Sequence, residues 1–339
     1  MSIHTVLVTG GAGYLGSVLT EELSIRGYRT IVFDNGITSP QFPYKFNGID
    51  VSCVQGDVRN PKDVVSALKG VDAVVHLASI VGDPACNSNP DLAWSTNYLG
   101  TIYLAEACRK AGIRRFVFAS SCSNYGLYTN EDVDESAPLN PQSLYARSKI
   151  HSENYLMSVR NETFLPCILR FATLYGLSPR MRFDLIVNWM TIKAVLEHEV
   201  TVYVGDQWRP FLHVRDAAQA IVKALEAAPT YSKAEIYNCG TNKENYRLRE
   251  LGQLIVQEVH GAKLSIIVDN ANNPSYRVNF ERIHRDLKFN CRYRVINGIR
   301  EIYDAARAGL YRDFTSIRYH NYMLVLGRTQ QRKTEVVSL

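Results

Sequence analysis

Apolar residues follow two rhythms along this chain. In the first half, short runs that are apolar almost throughout alternate with segments whose apolar positions recur every three or four residues. Runs of the first kind, at 5–8, 30–33, 51–54, 73–77 and 115–119, predict strands. Segments of the second kind, at 17–26, 61–68 and 92–111, predict helices; Leu19, Leu23 and Ile25 are apolar positions of the first. A further helix is predicted from Tyr145 to about 159, then a strand over 166–171. A strand that is apolar on both faces needs cover on both. The pattern therefore predicts an α/β protein with a doubly wound, Rossmann-type parallel sheet.

Beyond Gly176 the alternation loosens. Helices are predicted over 183–197, 214–227, 248–260 and 295–308, with short strands at 200–204 and 236–238. This predicts a smaller, interleaved α/β domain built from about 176–209 and 241–315, with 1–175 and about 210–240 in the larger one. Residues 316–339 are assigned to a tail, within which Gly327 to Lys333 is polar and basic.

Composition narrows the class. Of 339 residues, 46% are hydrophobic and 21% charged, which suits a globular chain rather than a disordered one. No apolar run approaches the ~20 residues that span a bilayer. The first residues lead straight into a strand without a leader pattern, so the expected location is the cytoplasm. Seven cysteines with no C-x-x-C pair argue against a disulfide framework or a zinc site, and no metal is expected. The net charge of +5 comes without a basic run, so nucleic acid is not an expected partner. Separate arginines serving an anionic small molecule account for it equally well.

Gly11, Gly13 and Gly16 fit G-x-G-x-x-G, and Gly10 adds a fourth glycine. The motif follows a predicted strand and opens a predicted helix, the context in which its backbone can approach a pyrophosphate. Asp34 ends the second strand about twenty residues on, where a carboxylate can accept hydrogen bonds from an adenosine ribose. It would repel a 2′-phosphate, so NAD is expected over NADP. The plainer reading of Asp34 is a loop cap. Asp57, after the third strand, is a candidate for the adenine edge or for ordinary turn chemistry.

Tyr145 and Lys149 stand four apart on a predicted helix and so share a face. An ammonium beside a phenol favours the phenolate, which can then take a proton from a sugar hydroxyl. Ser121, at the C-terminal end of the fifth strand, faces the crevice where such folds bind ligands, and could hydrogen-bond the reacting oxygen.

Taken in order, the motifs TGGAGYLGS (9–17), Asp34, GDV (56–58), VVHLAS (74–79), NYLGT (97–101), SSCSNYG (120–126), YARSK (145–149) and RPFLHVRD (209–216) resemble the extended short-chain dehydrogenase/reductase family, in its NAD-dependent nucleotide-sugar epimerase/dehydratase branch. The likeness runs from about Val6 to Ala306. It implies Tyr145 as acid/base, Lys149 as its partner and nicotinamide-ribose ligand, and Ser121 as hydroxyl donor. Asn97 is implied as a structural support. The implied NAD contacts are Gly10, Gly13, Tyr14, Leu15, Gly16, Asp34, Asn35, Asp57, Val58, Leu77 and Ala78, with Tyr145 and Lys149. The substrate contacts implied or read from the residues are Ser121, Ser123, Thr173, Arg180, Asn188, Arg209 and Arg277. Arg180 and Arg182 read equally well as phosphate or sugar contacts and as surface arginines. His76 and His213 read as structural. The family also implies a homodimer through the helices 97–111 and 145–159.

The resemblance implies oxidation at C4 of a nucleotide-diphosphate sugar, and three fates for the 4-keto product. A 4,6-dehydratase carries Asp and Glu after the active-site hydroxyl, where this chain has Cys122 and Ser123. A 3,5-epimerase needs an extra acid/base; Cys122 is a candidate, offset by one position from the family's cysteine, and a packed small residue is the alternative. A 4-epimerase needs no further base and is the leading expectation. A C4 dehydrogenase or 4-ketoreductase acting on a GDP- or UDP-sugar in bacterial polysaccharide synthesis fits the same residues, and a non-catalytic NAD-binding regulator is the remaining class. Thr173 stands where many relatives have a substrate-touching asparagine, which implies an altered sugar pose. The run SPRMRFD (178–184) with Asn188 resembles a branch that includes enzymes of GDP-linked heptoses.

Overall fold

The computed structural model describes residues 3–39, 42, 51–228, 232, 235–267 and 274–327. Most of the basic stretch after Gly327 lies outside the described residues. Seven parallel strands form the central sheet. Their spatial order is Glu235–Cys239, Leu165–Phe171, Arg115–Ser121, Ala73–His76, Thr5–Thr9, Arg29–Asp34, Val51–Gln55. The apolar strand signal reflects cover on both faces. Within Thr5–Thr9, Val6 and Val8 pack with Leu19, Leu23, Ala217 and Ile221 on one side. Leu7, between them, packs with Val64, Leu104 and Leu156 on the other. The chain reverses direction of growth between Thr5–Thr9 and Ala73–His76, and that switch point opens a crevice at the strands' C-terminal ends.

The second part has its own core, in which Met190, Val202, Phe211, Leu251, Ile255 and Ile299 meet. Its strands are short. Thr173–Tyr175, Trp208–His213 and Asn245–Arg247 form a three-stranded sheet; Glu199–Tyr203 pairs with Lys263–Ile267, and Leu127–Val133 with Ser275–Val278.

Three expectations change. The first helix is Tyr14–Ile25, starting inside the glycine motif rather than at Ser17. The segment 92–111 is not one regular helix: it runs as Pro90–Trp94, a π-helical turn at Ser95–Leu99, and Gly100–Lys110. Part of the assigned tail is folded. Ile317–Tyr319 is a 3₁₀ turn, 321–327 is helical, and Leu324 and Val325 are buried, so apolar packing holds this stretch on the body. Among the described residues, no helix is long and apolar enough to cross a membrane and no cluster of metal-ligating side chains occurs.

Candidate active site

A cleft of about 450 Å³ lies over the crevice. Its floor is the glycine turn. Gly10 adopts a left-handed φ of 70°, and a Cβ there would stand 2.6 Å from the Ala78 nitrogen. A Cβ on Gly16 would overlap the Gly10 carbonyl. Gly10, Gly13, Tyr14, Leu15 and Gly16 all line the cleft, and no side chain caps the helix that Gly13 begins, so its N–H groups remain available to an anion. Asp34 lies beside them. Its carboxylate accepts from Ala12 N at 3.1 Å and Gly36 N at 2.8 Å. Burial pushes the Asp34 carboxyl upward, and those two N–H groups oppose the shift. A bare backbone cradle ending in a carboxylate fits the pyrophosphate and adenosine ribose of NAD and disfavours a 2′-phosphate. Asn35, Val58, Leu77 and Ala78 extend the same wall. The Asp57 carboxylate is occupied: Arg59 donates to it at 2.9 and 2.6 Å, and Asn35 at 3.1 Å.

Ser121 ends the strand Arg115–Ser121 and faces the cleft. Its Oγ accepts from Ser123 N at 3.1 Å and is 2.8 Å from the Ser123 hydroxyl. Tyr145 opens the helix Leu144–Ser158, which Ser143 caps through Ala146 N at 3.2 Å. Tyr145 lines the same cleft as Ser121, whose hydroxyl acts to lower its phenol. One turn on, Lys149 Nζ donates to Ala119 O at 2.9 Å and sits 5.7 Å from the Tyr145 ring centre. Burial moves both groups away from their ordinary values. It raises the Tyr145 phenol, against which Arg182 and the Ser121 hydroxyl act, and it lowers the Lys149 ammonium to about 8. The expected lowering of the phenol by Lys149 is thus not what this geometry gives. The ammonium is spent on a carbonyl, and the opposing positive charge is Arg182.

Behind these residues lies a buried network. Arg170 Nη2 donates to Glu153 Oε2 at 2.7 Å, and Glu153 Oε1 accepts from Asn124 Nδ2 at 2.9 Å and also from Ser120. It ties the helix of Tyr145 to the strands Arg115–Ser121 and Leu165–Phe171 and to the turn after Ser121.

Comparison with known proteins places this arrangement. Residues 6–240 match the NAD dependent epimerase/dehydratase family. The chain belongs to this family. It is an NAD-dependent enzyme of the extended short-chain dehydrogenase/reductase type. A putative UDP-glucose 4-epimerase of Methanocaldococcus jannaschii is 34% identical over 262 residues, 75% of this chain and 82% of its own length. The UDP-glucose 4-epimerase of Bacillus subtilis is 28% identical over 70% of this chain and 77% of its own. Among solved structures, the UDP-glucose 4-epimerase of Thermus thermophilus in complex with NAD superposes with a TM-score of 0.76 at 27% identity, over 90% of this chain and 100% of that one.

Several family-derived positions behave differently in this epimerase-family chain. Cys122 is buried and its Sγ donates to Arg170 O at 3.1 Å, away from the cleft; burial pushes its thiol far up, which unsuits it to acid/base work. Asn188 does not reach the cleft. It is fully buried, accepting from Gly176 N at 2.9 Å and donating to Arg182 O at 2.9 Å, so it brackets the loop that carries the arginines. Arg209 and Arg277 are also outside the cleft wall. Arg209 lies 5.1 Å behind the ring of Tyr276, and Arg277 pairs with Asp132 at 3.1 Å. Arg180 and Arg182, by contrast, are buried and line the cleft with Ser123 and Thr173. Arg180 Nε donates to Thr38 O at 2.9 Å, joining the second part to the dinucleotide side. His76 bridges Thr9 at 2.7 Å and Thr101 at 3.0 Å, and burial lowers it to about 3.

Sequence reasoning missed the loop from Ser79 to Asp83, Tyr276 and Asn321, all of which line the cleft. Asn97 was the available signal for the loop. It donates to Ile80 O at 3.0 Å and accepts from Ile80 N at 2.7 Å. Nothing in the local pattern marks Tyr276 or Asn321.

Proposed function

We propose that this chain epimerises a nucleotide-diphosphate sugar at C4 through a 4-keto intermediate. The observation that carries the reading is the placement of Ser121, Tyr145 and Lys149 in the same cleft as the glycine cradle and Asp34. The cofactor residues proposed are Gly10, Gly13, Tyr14, Leu15, Gly16, Asp34, Asn35, Val58, Leu77, Ala78 and Lys149. NAD held there would take a hydride from C4 and give it back. Tyr145 removes the proton from the C4 hydroxyl, and Ser121 hydrogen-bonds the same oxygen while its charge changes. Arg182 offsets part of the cost of a buried phenolate. Tyr145 returns the proton once the ring has turned its other face. No additional base is needed, and none is offered by Cys122. With Cys122 turned inward and Ser123 beside it, the loop lacks the carboxyl pair of a 4,6-dehydratase. The relatives named UDP-glucose 4-epimerase support UDP-linked hexoses as first substrates to try.

Purified protein supplied with UDP-galactose or UDP-glucose, and in parallel with GDP-sugars, should interconvert C4 epimers without added NAD. Denaturation should release NAD, identified by mass. Tyr145→Phe should slow turnover by about 10²–10⁴-fold, the usual worth of a general acid/base. Turnover that consumes added NAD or NADH stoichiometrically would instead favour a C4 dehydrogenase or 4-ketoreductase.

The same reading divides the chain into an NAD-binding part and a sugar-binding part, supported by the second part's cluster around Met190, Phe211 and Ile299. It takes the protein as a cytoplasmic homodimer. The helical stretch 90–110 and the helix Leu144–Ser158 carry the exposed Tyr103 and the aromatic group of Trp94, Tyr98 and His151, which suit a helix-to-helix contact. Light scattering at twice the chain mass would support the dimer, and a monomer mass would remove it.

A further inference from the structure

The loop that Asn97 pins leads into a carboxylate on the cleft wall. After Ile80, whose two backbone groups Asn97 holds, the chain turns at Gly82 with a left-handed φ of 93° and enters the short helix Asp83–Ser88. Cys86 closes the turn: its N–H donates to Gly82 O at 3.0 Å and its thiol to Ile80 O at 3.3 Å. Ala85 and Cys86 are buried with Ile80, Ala93 and Val325, and Leu144 and Tyr145 pack against that cluster. Asp83 therefore stands on a fixed turn seated against the Tyr145 helix, and it lines the cleft.

Asp83 is exposed, so it is open to a molecule that enters the cleft. Among the described residues no hydrogen bond or ion pair engages its carboxylate, and no side chain caps the helix it opens. The other carboxylate of the wall, Asp34, is buried and accepts from Ala12 N and Gly36 N. The cations of the wall are engaged as well: Lys149 donates to Ala119 O, Arg180 to Thr38 O and Arg182 to Asp184. Burial chiefly raises the phenols of Tyr145 and Tyr276, and the Asp83 charge adds to both shifts, so this charge is felt on two sides of the cleft. Of the charged side chains on the wall, Asp83 is the one left with its hydrogen-bonding capacity open.

Resting on the nucleotide-sugar reading, we infer that Asp83 is a specificity-determining residue whose carboxylate accepts hydrogen bonds from hydroxyls of the sugar, so that the cleft takes a neutral sugar and refuses a uronic acid. An ionised carboxylate accepts hydrogen bonds and donates none. Sugar hydroxyls supply donors to it, and such charge-assisted bonds are stronger than neutral ones. A uronic carboxylate supplies no donor and brings a second negative charge to the same place. Like charges set against one another exclude the wrong partner, which is specificity by repulsion rather than by added attraction. The diphosphate plays no part in this choice, because both kinds of sugar nucleotide carry it.

The test is titration calorimetry on the NAD-loaded protein with UDP-glucose, UDP-glucuronate, GDP-mannose, GDP-mannuronate, UDP and GDP. If none of the four sugar nucleotides binds wild type, the nucleotide-sugar reading fails and this inference with it. For the nucleotide that is accepted, the neutral sugar should bind wild type about tenfold or more tightly than its uronate, a comparison that needs no variant. Asp83→Asn keeps the size of the side chain and removes its charge. It should shift the ratio of the two affinities toward the uronate by about fivefold or more, and Asp83→Lys should shift it further, while free UDP or GDP changes by about twofold at most. A purely structural role would weaken the neutral sugar nucleotide and the uronate by the same factor and leave their ratio where it was. A uronate that wild type binds as tightly as the neutral sugar, or a ratio that neither variant moves, would overturn the inference while leaving the epimerase reading standing.

Discussion

Burial opposes the charge state that Lys149 needs, and pH exposes the conflict. Its ammonium titrates near 8 in the fold against an ordinary value of 10.5. As pH rises through about 8 the folded protein loses this positive charge, so turnover should fall with one proton above pH 8, read from a rate profile of the NAD-loaded enzyme. Stability moves the other way. Between pH 8 and 10.5 the unfolded lysine still holds its proton while the folded one does not, so this group's contribution to stability rises over that window. His76 gives a second pH signature. Buried between two threonine hydroxyls, it falls from 6.5 to about 3. The unfolded state then binds the extra proton between those values, so the contribution is complete above pH 6.5 and is lost as pH falls toward 3. The slope from one such group is about 1.4 kcal/mol per pH unit. Urea melts across this range should show a slope in wild type that His76→Gln, less stable at pH 7, reduces by up to one proton. An identical acid slope in both proteins would mean that His76 is charged in the fold.

The π-helical turn at Ser95–Leu99 shows how one irregular element serves a site it does not enter. Gly100 N–H bonds to the Ser95 carbonyl, five residues back, and the widened turn leaves Asn97 pointing inward. There it pairs both backbone groups of Ile80, together with the hydroxyls of Ser79 and Ser148. Asn97→Ala strands the Ile80 N–H in the interior, while the Ile80 carbonyl still accepts from the Cys86 thiol at 3.3 Å. One such orphan costs about 1–3 kcal/mol, so a loss of about 2 kcal/mol is expected in urea unfolding. Because the loop from Ser79 to Asp83 lines the cleft, NAD affinity should fall with it, by tenfold or more in a fluorescence titration. Lost stability with unchanged affinity would show that the loop keeps its shape without Asn97. The sequence announces this region as helical and cannot announce its register, since one inserted residue barely changes the apolar spacing. The same physics separates what was legible from what was not. Strands such as Thr5–Thr9, apolar on both faces, stand out against amphipathic helices. Thr173–Tyr175 and Asn245–Arg247 are three residues each and carry no period to read.

Across the whole molecule, the legible half of the site is the half that is local. The glycine turn, Asp34, Ser121, Tyr145 and Lys149 sit in or beside short motifs whose spacing is dictated by a strand, a turn or a helix. Tyr276 and Asn321 reach the same cleft from segments brought in by tertiary packing, so no spacing announces them, whereas Arg182 lies in the run 178–184 that the sequence did single out. Two of the arginines expected there, Arg209 and Arg277, face other partners, because family position fixes a backbone site more firmly than a side-chain direction. The C-terminal segment tests this division most directly. A chain ending at Gly327 keeps every contact described for that segment and should melt and turn over like the full chain. A chain ending at Thr315 loses the Phe183–Tyr319 hydrogen bond, Asn321, and the burial of Leu324 and Val325. At about 1.5–3 kcal/mol for each buried aliphatic side chain, the packing loss alone is about 3–6 kcal/mol. For a chain of this size that lowers Tm by about 4–8 °C. The glycine cradle and Asp34 do not touch the removed residues, so NAD released on denaturation should remain near one per chain while turnover of the sugar nucleotide collapses. Full-rate epimerisation by the shorter chain would mean that the cleft is complete without its C-terminal wall.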